Sequence, residues 1–153
     1  MQEFIESLVE GIKINILGKE YVAIGCVDYV ALGRPTTVHT KVFFDDKQVL
    51  VISASSNFAC FGKDLGAITE NDDFAKSIFY KGDNYEFQNS DYQKVKCVRF
   101  GSPVDLEGEV EYWDYQGSDN PKLQISFAKI PRTGERSDVV AIELSEDEFY
   151  IVK

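Results

Sequence analysis

A chain of 153 residues with 44% hydrophobic and 27% charged residues can bury a core of its own without disulfides or metal. Its 26 acidic residues outnumber 16 basic ones, for a formal net charge of −10. With no basic cluster to set against phosphates, nucleic acid is excluded as a partner and anionic membrane surfaces are disfavoured.

Residues 2–9 suit a short helix, with Phe4, Ile5, Leu8 and Val9 on one side and Gly11 ending it. This stretch lacks the layout of a signal peptide, and no apolar run approaches the ~20 residues of a membrane span. Direct membrane insertion is therefore not expected, and the cytoplasm is the expected location. Ile12, Ile14 and Ile16 alternate with Lys13 and Asn15 in strand fashion, and Gly18-Lys19 turns into a second strand over 20–29. After Gly33-Arg34-Pro35 come strands at 36–44 and 48–53, joined by Asp45-Asp46-Lys47.

Residues 54–71, rich in Ser, Gly, Ala and Asn, read as a loop anchored by Phe58 and Phe61. Asn71-Asp72-Asp73 predicts the cap of a short helix running to Phe79, its apolar face formed by Phe74, Ile78 and Phe79. Residues 63–82 thus form a short helical connector. Tyr85 and Phe87 then resume the strand pattern, Asn89-Ser90-Asp91 predicts a turn, and a strand follows over 92–100 up to the Gly101-Ser102-Pro103 break. A long strand at 104–115, a turn at 117–121 and its partner at 122–130 come next. Beyond Pro131-Arg132-Thr133-Gly134, strands at 138–144 and 148–152 flank a Ser145-Glu146-Asp147 turn.

The two halves resemble each other. Tyr21, Cys26-Val27-Asp28-Tyr29 and Leu50-Val51-Ile52-Ser53 line up with Tyr92, Cys97-Val98-Arg99-Phe100 and Leu123-Gln124-Ile125-Ser126. The expected fold is mainly β. Within a single domain spanning 1–153, two similar antiparallel modules (11–62 and 83–153) pack as a sandwich or a partly open barrel.

Glu10-Gly11-Ile12, Leu17-Gly18-Lys19-Glu20-Tyr21-Val22-Ala23-Ile24-Gly25, Leu106-Glu107-Gly108-Glu109 and Trp113-Asp114-Tyr115 carry a family likeness. Through them the chain resembles the bacterial and archaeal domain of unknown function four-one-seven-eight. That family's first aromatic strand carries Trp-x-Glu-Tyr, where this chain has Thr40-Lys41-Val42-Phe43-Phe44. The resemblance implies a β-rich accessory protein with no assigned activity, sometimes encoded near polyamine-synthesis proteins.

Few residues suggest catalysis. His39 is the single histidine, and no Gly-x-Ser-x-Gly turn accompanies it, so a solvated or half-buried strand histidine is the expected reading. Cys26, Cys60 and Cys97 lack metal spacing; Cys26 and Cys97, at matching repeat positions, read as buried core residues. No glycine-rich phosphate cradle is present, and Glu70-Asn71-Asp72-Asp73 lacks the spaced acids of a calcium loop, so neither cofactor nor metal is expected. One strand stands out, because period-2 alternation sets Glu107, Glu109, Glu111, Trp113 and Tyr115 on one face. Carboxylates beside an aromatic ring suit a cation. The expected function is a non-enzymatic binding or accessory domain acting through protein contacts. The alternative is a small cation-binding (polyamine-like) protein using the acidic aromatic strand.

Overall fold

A computed structural model describes residues 1–69, 75–101, 108–130 and 132–153, with Thr37 described by its backbone alone. The expected cap at Asn71-Asp72-Asp73, Phe74, Glu107 and most of the 101–109 stretch lie outside the described residues.

Helix α1 (Gln2–Glu6) is shorter than its apolar face suggested, and the chain leaves it for strand β1 (Lys13–Ile16). The turn into β2 (Lys19–Val22) is Leu17–Gly18, one residue earlier than the Gly-Lys pair indicated. Both residues take positive φ, at 52° and 85°, which matches the twist of a two-residue hairpin. The far side of β1 pairs with β12 (Phe149–Ile151), so the chain's first and last strands share a small three-stranded sheet.

The expected second strand is broken at Ala23-Ile24, and β3 (Gly25–Ala31) starts a larger sheet. β4 (Arg34–Phe43), β5 (Gln48–Ser53) and β6 (Phe58–Asp64) follow as a four-stranded antiparallel meander. A short strand β7 (Ser77–Tyr80) then forms a hairpin with β8 (Asp83–Phe100). With β9 (Val110–Gly117), β10 (Leu123–Lys129) and β11 (Arg136–Glu143), β8 builds a second meander. The meanders join at β6–β11 and at β3–β8, closing an antiparallel barrel. Closure rather than a sandwich removes the edges of both modules. Cys26 and Cys97 fall on the first strand of each meander, and the two Leu-x-Ile-Ser stretches on the third.

Three local expectations are corrected. Phe79 lies on β7, not on a helix, because alternate residues Ile78 and Tyr80 pack on the core while Phe79 stays 68% exposed. Asn89-Ser90-Asp91 does not turn but lies inside β8, past a bulge between Phe87 and Asn89. Its turn-forming side chains are occupied elsewhere: Asp91 accepts the Gly33 N–H at 3.1 Å, and Asn89 accepts a long bond from Arg34. Strand β6 had read as loop because its residues are small, yet smallness is what its position needs. A Cβ on Gly62 would run into the Val140 carbonyl oxygen of β11.

Parity fixes what each barrel strand buries. Cys26, Val42, Leu50, Ile52 and Ala59 point outward and are covered by α1 and the small sheet through Ile5, Ile14, Ile16 and Phe149. On the other side Trp113, Tyr115, Ile125 and Phe127 point outward beneath Ile68, Ile78 and Tyr80. Each such fully buried aliphatic or aromatic side chain contributes ~1.5–3 kcal/mol. The main hydrophobic layers therefore sit outside the barrel wall. The lumen is left for a different set of residues.

A candidate ligand site in the barrel lumen

The inward positions carry polar and charged side chains among smaller apolar ones. His39, Lys41 and Phe43 alternate along β4, Tyr112, Asp114 and Gln116 along β9, and Gln124 and Ser126 on β10, with Cys60 across from them on β6. Two cavities of about 630 and 420 Å³ occupy the interior, and Lys41, Gln93 and Val139 line both. The larger cavity reaches the surface at the exposed Asp45-Asp46-Lys47 turn, the smaller at Arg34, Ser56 and Gln88.

The hydrogen bonds of this lumen are partly complete. Ser126 Oγ donates to Asp114 Oδ1 at 2.6 Å, and Arg34 Nη2 donates to the Tyr112 hydroxyl at 3.1 Å while Arg34 Nε lies 3.8 Å from Asp91 Oδ2. Two nitrogens differ. Lys41 Nζ stands 5.0 Å from the centre of the Tyr29 ring, and no carboxylate among the described residues lies within ion-pair distance of it. His39 Nε2 is sealed from solvent and has no hydrogen-bond partner among the described residues.

Burial moves these groups toward their neutral forms. It lowers His39 to about 4, with help from the nearby charges of Lys41 and Arg34. It also lowers the Lys41 ammonium, against the pull of Asp114, Cys60 and Asp64. Asp114 is raised by burial despite the Ser126 bond and the nearby cations, and the Cys60 thiol and Tyr29 phenol are each pushed up to about 12. A bound partner that met Lys41 and His39 would replace the solvation they have lost.

No family model, curated protein or solved structure matches the chain. The site is therefore argued from its own geometry.

The residues singled out on the acidic aromatic strand fall on the opposite face of β9 from this lumen. Glu109 is exposed just before the strand, and Glu111 is half-buried across from Tyr92 and Lys129. Trp113 and Tyr115 are wholly buried, because Ile68, Ile78 and Tyr80 pack over them. Tyr115 donates to the Ala75 carbonyl at 2.9 Å. Trp113 does face a cation, but an internal one: the Arg136 guanidinium lies 5.6 Å from its ring and 4.7 Å from that of Phe127. Arg136 in turn is paired at 2.7 Å with Asp138, whose carboxylate also accepts the Ile68 N–H at 2.9 Å. The structure does not bring Glu109 and an open tryptophan face together.

Cys26 is buried, whereas Cys97 is exposed on β8, contrary to the matched burial expected. Its stretch of β8, residues 96–98, is exposed on consecutive positions. Among the described residues no group of three or more His, Cys, Asp or Glu is placed to hold a metal ion. No helix among them is long and apolar enough to cross a membrane. Period-2 spacing along β4 sets His39, Lys41 and Phe43 on one face, but what that face lines depends on barrel closure, which a single strand does not encode.

Proposed function

We propose that this protein binds a small organic molecule inside the barrel lumen. The supporting observation is a closed barrel whose interior holds two cavities, about 630 and 420 Å³, meeting at Lys41, Gln93 and Val139. Small-molecule sites commonly occupy ~300–1,000 Å³ and combine apolar walls with a few convergent polar groups. An eight-stranded barrel is also about the size at which an interior fills with side chains or holds one small ligand. Here the two larger core layers lie outside the wall, and only the smaller cluster of Val49, Cys60, Val139 and Ala141 faces inward. An interior left partly open therefore keeps most of the packing that stabilises the fold. A cation bound at the acidic aromatic strand has less support, since Arg136 already occupies the neighbourhood of Trp113.

The reading is tested by filling the lumen. Val139→Phe places a ring where the two cavities meet, and the vacant volume keeps the packing cost at or below ~1–3 kcal/mol. Titration with the neutral dye N-phenyl-1-naphthylamine is expected to give saturable fluorescence in the wild type and at least a several-fold weaker response in the folded variant. Equal dye affinity in the two proteins would place the dye outside the barrel and count against the reading.

A further inference from the structure

We infer that the lumen ligand carries a carboxylate, held at Lys41 and His39, with an apolar chain running into the larger cavity. This rests on the lumen-binding reading above and names the chemical class of the ligand.

The first observation concerns charge. Four cations among the described residues have a carboxylate within 4 Å: Arg34 with Asp91, Lys63 with Asp46, Arg99 with Asp28, and Arg136 with Asp138. Lys41, in the lumen, stands over the face of Tyr29 and has no carboxylate within ion-pair distance among the described residues. The lumen carboxylates nearest it are engaged elsewhere, Asp114 by Ser126, and Asp64 by Ser137 at 2.6 Å and by the Gly66 N–H at 2.9 Å. Asp114 and Asp64 act on the Lys41 ammonium from beyond ion-pair distance, so its burial is only partly compensated. An incoming anion in direct contact relieves the remaining cost.

The second observation is His39. It lies two residues from Lys41 on the same face of β4, so the side chains stand roughly 7 Å apart at their bases, close enough to share one headgroup. Its partnerless Nε2, in the N–H tautomer, is a donor to an anion. A dianionic phosphate would need a second free cation, but Arg34 is already committed to Tyr112 and Asp91, and Glu143 adds a further negative group to the smaller cavity. One unpaired positive charge and one neutral donor suit a monoanion.

The third observation is the route away from Lys41. The larger cavity is walled by Phe43, Val49, Val95, Val110, Ala128 and Val139 before the polar rim is reached. That lining suits a hydrocarbon chain rather than a sugar or a peptide. The acidic exterior opposes entry of an anion only over the ~8 Å Debye length of physiological salt, so it acts on the rate of arrival more than on the bound state.

Calorimetric titration at pH 7 and 0.15 M salt with sodium decanoate, decanol and decylamine, on the full chain, tests this. Decanoate is expected to bind most tightly and decylamine least. Lys41→Gln is expected to weaken decanoate by roughly 10- to 100-fold, the range of a lost hydrogen bond to a charged group, and to leave decanol unchanged. Lys41→Arg should restore most of the preference, and His39→Phe should lose a smaller part of it. Should Lys41→Gln fail to fold by thermal melting, the ranking of the three probes on the wild type decides. Equal binding of decanoate and decanol, or tighter binding of decylamine, overturns the carboxylate inference while leaving the lumen as a binding site. If none of the three binds, the inference fails, and the dye titration decides separately whether the lumen reading fails with it.

Discussion

The Arg136–Asp138 pair is where a single substitution should cost most. Its guanidinium side chain is 5% exposed and its carboxylate fully buried, beneath the aromatic layer that covers β9 and β10. Removing one partner takes away a close, charge-assisted contact from the other's buried charge, which typically costs ~3–5 kcal/mol. Asp138→Ala also deprives the Ile68 amide of its acceptor, and Arg136→Met removes a cation from above Phe127 and Trp113. Each single variant is therefore expected to lose about 3–5 kcal/mol, or roughly 6–20 °C in melting temperature for a chain of this size. Arg136→Met/Asp138→Leu, which removes both charges and refills the space, should recover to within ~2 kcal/mol of the wild type. Trp113, the sole tryptophan, sits in this layer, so its emission reports urea unfolding directly. Single losses below ~1 kcal/mol, or a double variant as unstable as the sum of the singles, would refute the reasoning. Before denaturation the same emission should stay blue-shifted and unmoved by spermidine at low salt.

Thiol labelling with Ellman's reagent should release one equivalent quickly, from exposed Cys97, since burial pushes Cys26 and Cys60 up to about 12; rapid release of all three would contradict the barrel's packing. The His39 imidazole is held down at about 4, below its unfolded value of 6.5, so the unfolded chain takes up a proton first as pH falls. Its contribution to stability is complete above pH 6.5 and is lost on descending to pH 4, on the order of 3 kcal/mol in all. The wild type should thus lose stability against His39→Phe across that window; parallel urea midpoints for the two proteins from pH 6.5 to 4 would show that the ring is not buried as described.

The alternation of Ile14 and Ile16, of Val42 and Phe44, and of Leu50 and Ile52 made the strands legible from sequence, because one face of each is covered by apolar neighbours. Period-2 reasoning failed where strands carry other duties. Strand β6 looked like a loop because Gly62 must admit the neighbouring backbone, and β8 looked broken because Asn89 and Asp91 act in tertiary hydrogen bonds. The parity of β9 was read correctly, setting Glu111, Trp113 and Tyr115 together, but its sign was not. In a strand covered on one side by a cap and open on the other to a lumen, the aromatic face goes under the cap, and Asp114 and Tyr112 face the cavity. Nothing local to 110–117 says which side will be hollow.

The seam between β3 and β8 has a kinetic meaning. Each meander is a run of short-range pairings, whereas this seam joins residues such as Asp28 and Cys97 that are distant along the chain, and long-range closures of this kind set the pace of folding. The lumen offers a mixed surface to draw the seam shut, with Lys41, His39 and Asp114 standing among Phe43, Val49 and Val139. The clamp lies on the outer wall instead: Arg99 of β8 donates to both oxygens of Asp28 on β3, at 3.1 and 3.0 Å, and to the Ile5 carbonyl of α1 at 3.2 Å. A closure fastened by ions partly open to solvent is loosened by salt sooner than the hydrophobic layers are. The β3–β8 seam is therefore the line along which the barrel is expected to loosen first, with the Arg99–Asp28 pair as its fastening.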